Sequence, residues 1–225
     1  MEQARAATLG FRIDMEIKMN ITDGLLGQLQ GKSLGQISQQ LGITPGQAST
    51  AMAAALPLLI GALGRNSRQP QGAESLFGAL QRDHAGHNPE DVLNSALGGG
   101  GDGEKILGHI FGARQPMAAQ GLGVATGLQP DMANKVLRLL APVALGYIAK
   151  KMFDNRQAKA SAKKPTTPAA QPSATELGDV LRQEEVQITR QDGVGGKLLG
   201  AVLDRNHDGK VDFSDLMAGL NGGRA

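Results

Sequence analysis

The chain of 225 residues has no cysteine, no tryptophan and a single tyrosine, and its aromatic content is 3%. Without cysteine there are no disulfides, no thiolate metal sites and no cysteine nucleophile. Runs of alternating β-branched residues are few, so strands are not expected. Net charge is only +2. With neither a basic face nor aromatic stacking platforms, nucleic acid is excluded as an expected partner. The first eighteen residues spread Glu2, Arg5, Arg12, Asp14 and Glu16 through their length and lack the apolar centre of a secretory signal. A cytoplasmic location is therefore expected. The longest uncharged apolar run, 51–62, is too short for a bilayer and reads as a buried helix, so no transmembrane segment is expected.

What is present is glycine, 32 residues of it, with small aliphatic side chains. The expected fold is all-α: a helical bundle with an internal pseudo-repeat, plus a tethered C-terminal helix–loop–helix. Residues 1–19 read as an N-terminal extension, and Met19-Asn20-Ile21-Thr22-Asp23 resembles a natural protein start. Residues 20–153 read as the helical domain. The stretch 154–175, rich in Ala, Lys, Pro, Ser, Thr and Gln, reads as a flexible linker that cannot bury enough apolar surface to fold alone. Residues 176–225 read as the helix–loop–helix unit, its first helix opened by the capping box Ser173-x-x-Glu176.

The repeat has an offset of 85. Gly42-Ile43-Thr44-Pro45 lies over Gly127-Leu128-Gln129-Pro130, Leu56-Pro57-Leu58 over Ala141-Pro142-Val143, and Gly61 over Gly146. Each copy starts a helix with proline, where the missing N–H costs nothing. Each carries a second proline twelve residues on, which removes a backbone bond and favours a kink. Pro57 and Pro142 should then occupy equivalent places in two buried helices.

One stretch names a chemistry. Asp204-Arg205-Asn206-His207-Asp208-Gly209-Lys210-Val211-Asp212-Phe213-Ser214-Asp215 has oxygen side chains at loop positions 1, 3, 5, 9 and 12 and glycine at position 6. A hard divalent cation needs six to eight oxygens, and a twelve-residue loop supplies them only by curling tightly at that glycine. The expected metal site is Asp204, Asn206, Asp208, the Lys210 carbonyl, Asp212 and Asp215. Apolar stripes lead in (Leu198, Leu199, Val202, Leu203) and out (Phe213, Leu216, Met217, Leu220). The loop resembles an EF-hand. It departs from that pattern at position 12, where Asp215 replaces the usual glutamate and reaches the ion less easily. Calcium is the expected ion, with magnesium the competitor that lower coordination favours. The competing reading is an acidic helix–turn–helix that holds no metal.

Other polar residues carry less. His109 reads as a hydrogen-bonded core histidine. Asp83-His84-x-x-His87 reads as a turn, and Gly98-Gly99-Gly100-Gly101-Asp102-Gly103 as a flexible loop without the Lys-Ser/Thr ending of a phosphate loop. No nucleophile–base pairing is legible, so no enzyme is expected.

The segments Gly24-Leu25-Leu26, Leu34-Gly35-Gln36-Ile37, Ala53-Ala54-Ala55-Leu56-Pro57, Ile106-Leu107-Gly108-His109-Ile110-Phe111-Gly112 and Leu140-Ala141-Pro142 resemble the bacterial YidB-like family of uncharacterised proteins, over about residues 20–150. That resemblance implies an all-helical fold and no assigned activity. The expected function is a calcium-binding, non-enzymatic interaction or regulatory protein, acting on an unknown protein partner or by self-association through 196–221. In that association Val211 would lie on an unpaired strand edge. The alternative is a structural bundle whose C-terminal cap is metal-stabilised or metal-free.

Overall fold

The structure is a computed structural model that describes residues 21–84, 88–99, 102–162, 173–190 and 194–203. Among these residues there are helices and no strand. In chain order they are α1 (Ile21–Gln28), α2 (Lys32–Leu41), α3 (Pro45–Asn66), α4 (Pro70–Ala79), α5 (Pro89–Leu97), α6 (Gly103–Phe111), α7 (Gln115–Thr126), α8 (Pro130–Ala162), α9 (Ala174–Arg190) and α10 (Val194–Leu203). A π-helical turn, Leu80–His84, prolongs α4 where a simple turn was expected.

Two long helices, α3 and α8, pack on each other, and the other helices pack on one or both of them, except α4, which packs on α9. The repeat explains why they look alike. Gly42 and Gly127 end the preceding helices, α2 and α7, in the left-handed conformation (φ 66° and 72°), which glycine adopts without a Cβ penalty. Three residues later a proline opens the long helix in each copy. Pro57 lies inside α3, half-buried, and Pro142 inside α8, buried, at equivalent places in the two helices. Thr44 caps α3: its hydroxyl accepts the Gln47 N–H at 3.2 Å while Gln47 Oε1 accepts the Thr44 N–H at 3.0 Å.

Leu56, Leu58, Leu59 and Ile60 of α3 face Leu137, Leu140, Val143 and Ala144 of α8 within one continuous core. By length and composition Pro45–Asn66 and Pro130–Met152 would each reach across a bilayer, beyond the short 51–62 run noted in the sequence. About two thirds or more of each apolar window (67% and 72%) is buried within the bundle.

The described residues after α8, 173–190 and 194–203, do not stand apart from this core. Helix α8 itself runs to Ala162, through the first part of the segment read as linker. Helix α9 starts at Ala174, and the Glu176 N–H donates to Ser173 Oγ at 3.2 Å, the cap the sequence indicated. It then lies along α3 and α4, and α10 lies on α3 and α7. Leu177, Leu181, Ile188, Leu198 and Leu199 all belong to the main core.

Candidate functional site

The six residues of the expected metal loop, Asp204, Asn206, Asp208, Lys210, Asp212 and Asp215, lie outside the described residues. What the structure does place is the helix that leads into them. Leu198 and Leu199 of α10 are buried, and Leu199 fills the space over Gly61 so closely that any Cβ there would overlap its side chain. One turn along α3, a Cβ at Gly64 would come within 2.7 Å of the Leu181 carbonyl oxygen. The α9 backbone therefore rests directly on α3. Gly61 and Gly64 form the floor of this seat, because only glycine leaves room for another helix so near.

Two adjacent carboxylates fasten the same seat. They stand on α9 in the stripe formed by Leu177, Leu181 and Ile188, and both are buried. Glu184 Oε1 accepts the backbone N–H and the hydroxyl of Thr22, each at 2.9 Å. Thr22 lies in the first turn of α1, whose N–H groups lack partners within the helix. Glu184 thus acts as a remote N-cap, its charge set against the positive end of the α1 dipole. Glu185 accepts from Arg68 Nε at 3.2 Å (Oε2) and from Arg68 Nη2 at 2.9 Å (Oε1), a forked ion pair. Burial pushes the Glu185 carboxyl above its ordinary range; the charges of Arg68 and Arg65 oppose this without cancelling it. The Tyr147 hydroxyl of α8 is also pushed up, mainly by burial and further by the charge of Glu184. So α1, α3, α8 and α9 meet around two carboxylates. Thr22, Glu184, Arg68 and Glu185 are held to one another in hydrogen bonds, an arrangement that joins helices.

Sequence reasoning missed this clasp. Its signal was an acidic pair at 184–185 inside an otherwise apolar helical stripe. Reasoning also placed His109 wrongly. The histidine is exposed, because α6 buries Leu107, Ile110 and Phe111 on its other face. It contributes only its backbone carbonyl, which accepts from Asn66 Nδ2 at 3.2 Å beside that of Ile110 at 2.9 Å. The glycine-rich stretch ends in a packed residue: Gly103, first in α6, abuts the Arg138 carbonyl of α8 with no space for a Cβ. Among the described residues no three His, Asp or Glu side chains are grouped to hold a metal ion.

The fold is an all-helical bundle built on two similar long helices. The sequence model of a family described as "Bacterial protein of unknown function (DUF937)" matches residues 23–151, more than half of the chain, and the chain belongs to that family. This agrees with the YidB-like resemblance at the level of a bacterial family without assigned activity. No curated protein and no solved structure matches the chain. The matched span closes within α8, so α9, α10 and both carboxylates of the clasp lie beyond it.

Proposed function

We propose that this chain is a non-enzymatic, calcium-responsive interaction protein of bacteria, with magnesium as the competing ion. One observation carries the reading: the Asp204–Asp215 oxygen pattern begins at the residue after α10, and α10 is seated on α3. An ion that draws Asp204, Asn206, Asp208, the Lys210 carbonyl, Asp212 and Asp215 together restrains the end of a helix already locked into the core. The ion's effect then reaches Gly61 and the carboxylate clasp instead of ending in a loose tail. The short position-12 carboxylate and the lone loop set affinity on the order of 10⁻⁵ to 10⁻³ M. In a cytoplasmic setting such a site holds magnesium more than calcium. The partner is a protein or a second copy of the chain.

Calorimetric titration of the full chain with calcium and with magnesium tests this. Heat with millimolar ion, lost in Asp204→Ala and Asp208→Ala, is the expected result; no heat and no change in thermal unfolding sinks it. A second reading, a structural bundle whose metal loop is only a stabilising cap, is favoured by the burial of Leu198 and Leu199. Sedimentation separates the two. A change of oligomeric state at saturating ion supports the interaction protein, and a gain in stability with unchanged mass supports the cap.

A further inference from the structure

Helix α7 contains no charged residue across Gln115–Thr126. Its inner face buries Ala118, Ala119, Leu122 and Gly123. A surface helix ordinarily turns charge or amide groups to water on its outer face. Here that face carries one amide, Gln120, and otherwise Met117 and Val124, 53% and 84% exposed, the two most exposed large apolar side chains among the described residues. They are two turns apart on one stripe, with Gly121 between them at the i+4 position, a notch between two knobs.

Helix α10 packs on α7 as well as on α3. The chain therefore runs on from a helix that is itself seated against α7. Residues 204–225 follow, and in them Phe213, Leu216, Met217 and Leu220 recur at i, i+3, i+4 and i+7. The stretch from 204 to 212 spans up to about 30 Å when extended. Helix α7 is only about 18 Å long. A chain of that length can bring the stripe to the α7 face.

We propose that the Phe213, Leu216, Met217 and Leu220 stripe docks on the Met117–Gly121–Val124 face of α7, so that the C-terminal segment is an intramolecular cover continuous with the α10 seat. The docking shares with the metal reading the helix that follows the loop, but it requires no ion. It makes α7 the face that is uncovered, and open to another chain, whenever the segment leaves.

The absence of cysteine makes the test clean, because an introduced pair contains the only two thiols. In the full chain, Val124→Cys with Met217→Cys should close a disulfide within one molecule under mild oxidation. It should do so at least ten-fold faster than Val124→Cys with Ala218→Cys, whose second thiol lies on the far side of the stripe. Equal slow rates, or a disulfide only between two molecules, overturn the proposal; the second outcome gives the face to another copy. Separately, the thiol of Val124→Cys should react several-fold faster with a water-soluble maleimide when Leu216→Asp and Leu220→Asp are added, and an unchanged rate overturns the cover. Both are run in chelator. A disulfide there with no calcium heat removes the metal reading and leaves the cover standing, while calcium heat without the disulfide does the reverse.

Discussion

Helices α3 and α8 are two renderings of one pattern, and they differ in what lies on them. Both have proline in the first turn, an interior proline and a glycine four residues later. At Gly146 of α8 an added Cβ would stand 3.1 Å from Val92 Cγ2 of α5, a contact small shifts can absorb. At the matching Gly61 of α3, Leu199 of α10 fills the space completely. Three residues on, α3 has Gly64 where α8 has Ala149, and at Gly64 the α9 backbone rests directly on α3. The interior prolines leave carbonyls without their i−4 partner at Ala53 and Arg138. Ala53 is exposed, where water can take the bond, whereas the Arg138 carbonyl faces the N-terminus of α6 through Gly103. Equivalent backbones thus receive different covers. The α3 cover comes from beyond the family span, and one added glycine, Gly64, beside the shared Gly61 admits it.

The largest effect that could break this comparison is a cavity in the α3 cover. Leu181→Ala should cost about 2–5 kcal/mol, because the side chain is fully buried in the main core. Urea unfolding should remain a single transition with its midpoint lowered. A loss confined to α9, with the rest of the bundle unfolding as before, would mean that α9 and α3 do not share one core.

Next come the glycines. Gly64→Ala drives a methyl group into the Leu181 carbonyl, and backbone cannot yield as a side-chain tip can, so the expected loss is about 1–3 kcal/mol. Gly35→Ala, in α2 with nothing within 4 Å of the new methyl group, should instead gain roughly 1 kcal/mol of helix propensity. Thermal unfolding of the two variants should show shifts of opposite sign. Equal shifts would remove the close approach at Gly64.

A third contrast concerns how the copies begin. Thr44→Ala should cost about 1 kcal/mol because it removes the capping box of α3. Gln129, at the matching place before α8, is not a residue type that caps well, and Gln129→Ala should stay within about 0.5 kcal/mol of the parent in denaturant titrations.

The repeat was legible because its marks are backbone marks: Gly42 and Gly127, Pro45 and Pro130, Pro57 and Pro142 act through their own φ angles and missing N–H groups, which need no knowledge of neighbours. The start of α9 was legible for the same local reason, a Ser173 oxygen three residues before an N–H that needs it. The seat of α9 and α10 was not. Gly61 was legible only as a mark of the repeat, and neither it nor Gly64 shows a seat until the partner helices are placed on them. Glu184 and Glu185 gave no local sign of their role, because their partners, Thr22 and Arg68, are more than a hundred residues away in the chain. His109 failed in the opposite direction: its apolar neighbours suggested burial, but the α6 face that holds it turns outward. The metal loop was legible as a pattern, and its six residues lie outside the described part of the chain.

The smallest expected effect separates the two carboxylates of the clasp. Burial raises Glu185 above its ordinary value of 4.5, so the folded protein keeps this proton to a higher pH than the unfolded chain does. A group that binds its proton more tightly when folded contributes most below the unfolded value, and that contribution falls as pH rises through the folded one. Between about pH 4.5 and neutrality, Glu185 should therefore give the unfolding free energy a downward slope. Glu185→Gln should remove that slope, at the expense of the charged half of the Arg68 pair. Arg68→Gln removes a cation that opposes the effect of burial, so it should steepen the slope and carry it to higher pH. Urea titrations of the three proteins at pH 4.5, 5.5, 6.5 and 7.5 would read it. Parallel curves would mean that the Glu185 carboxyl meets the same surroundings folded and unfolded, and that the α9 seat on α3 is wet where the structure has it closed.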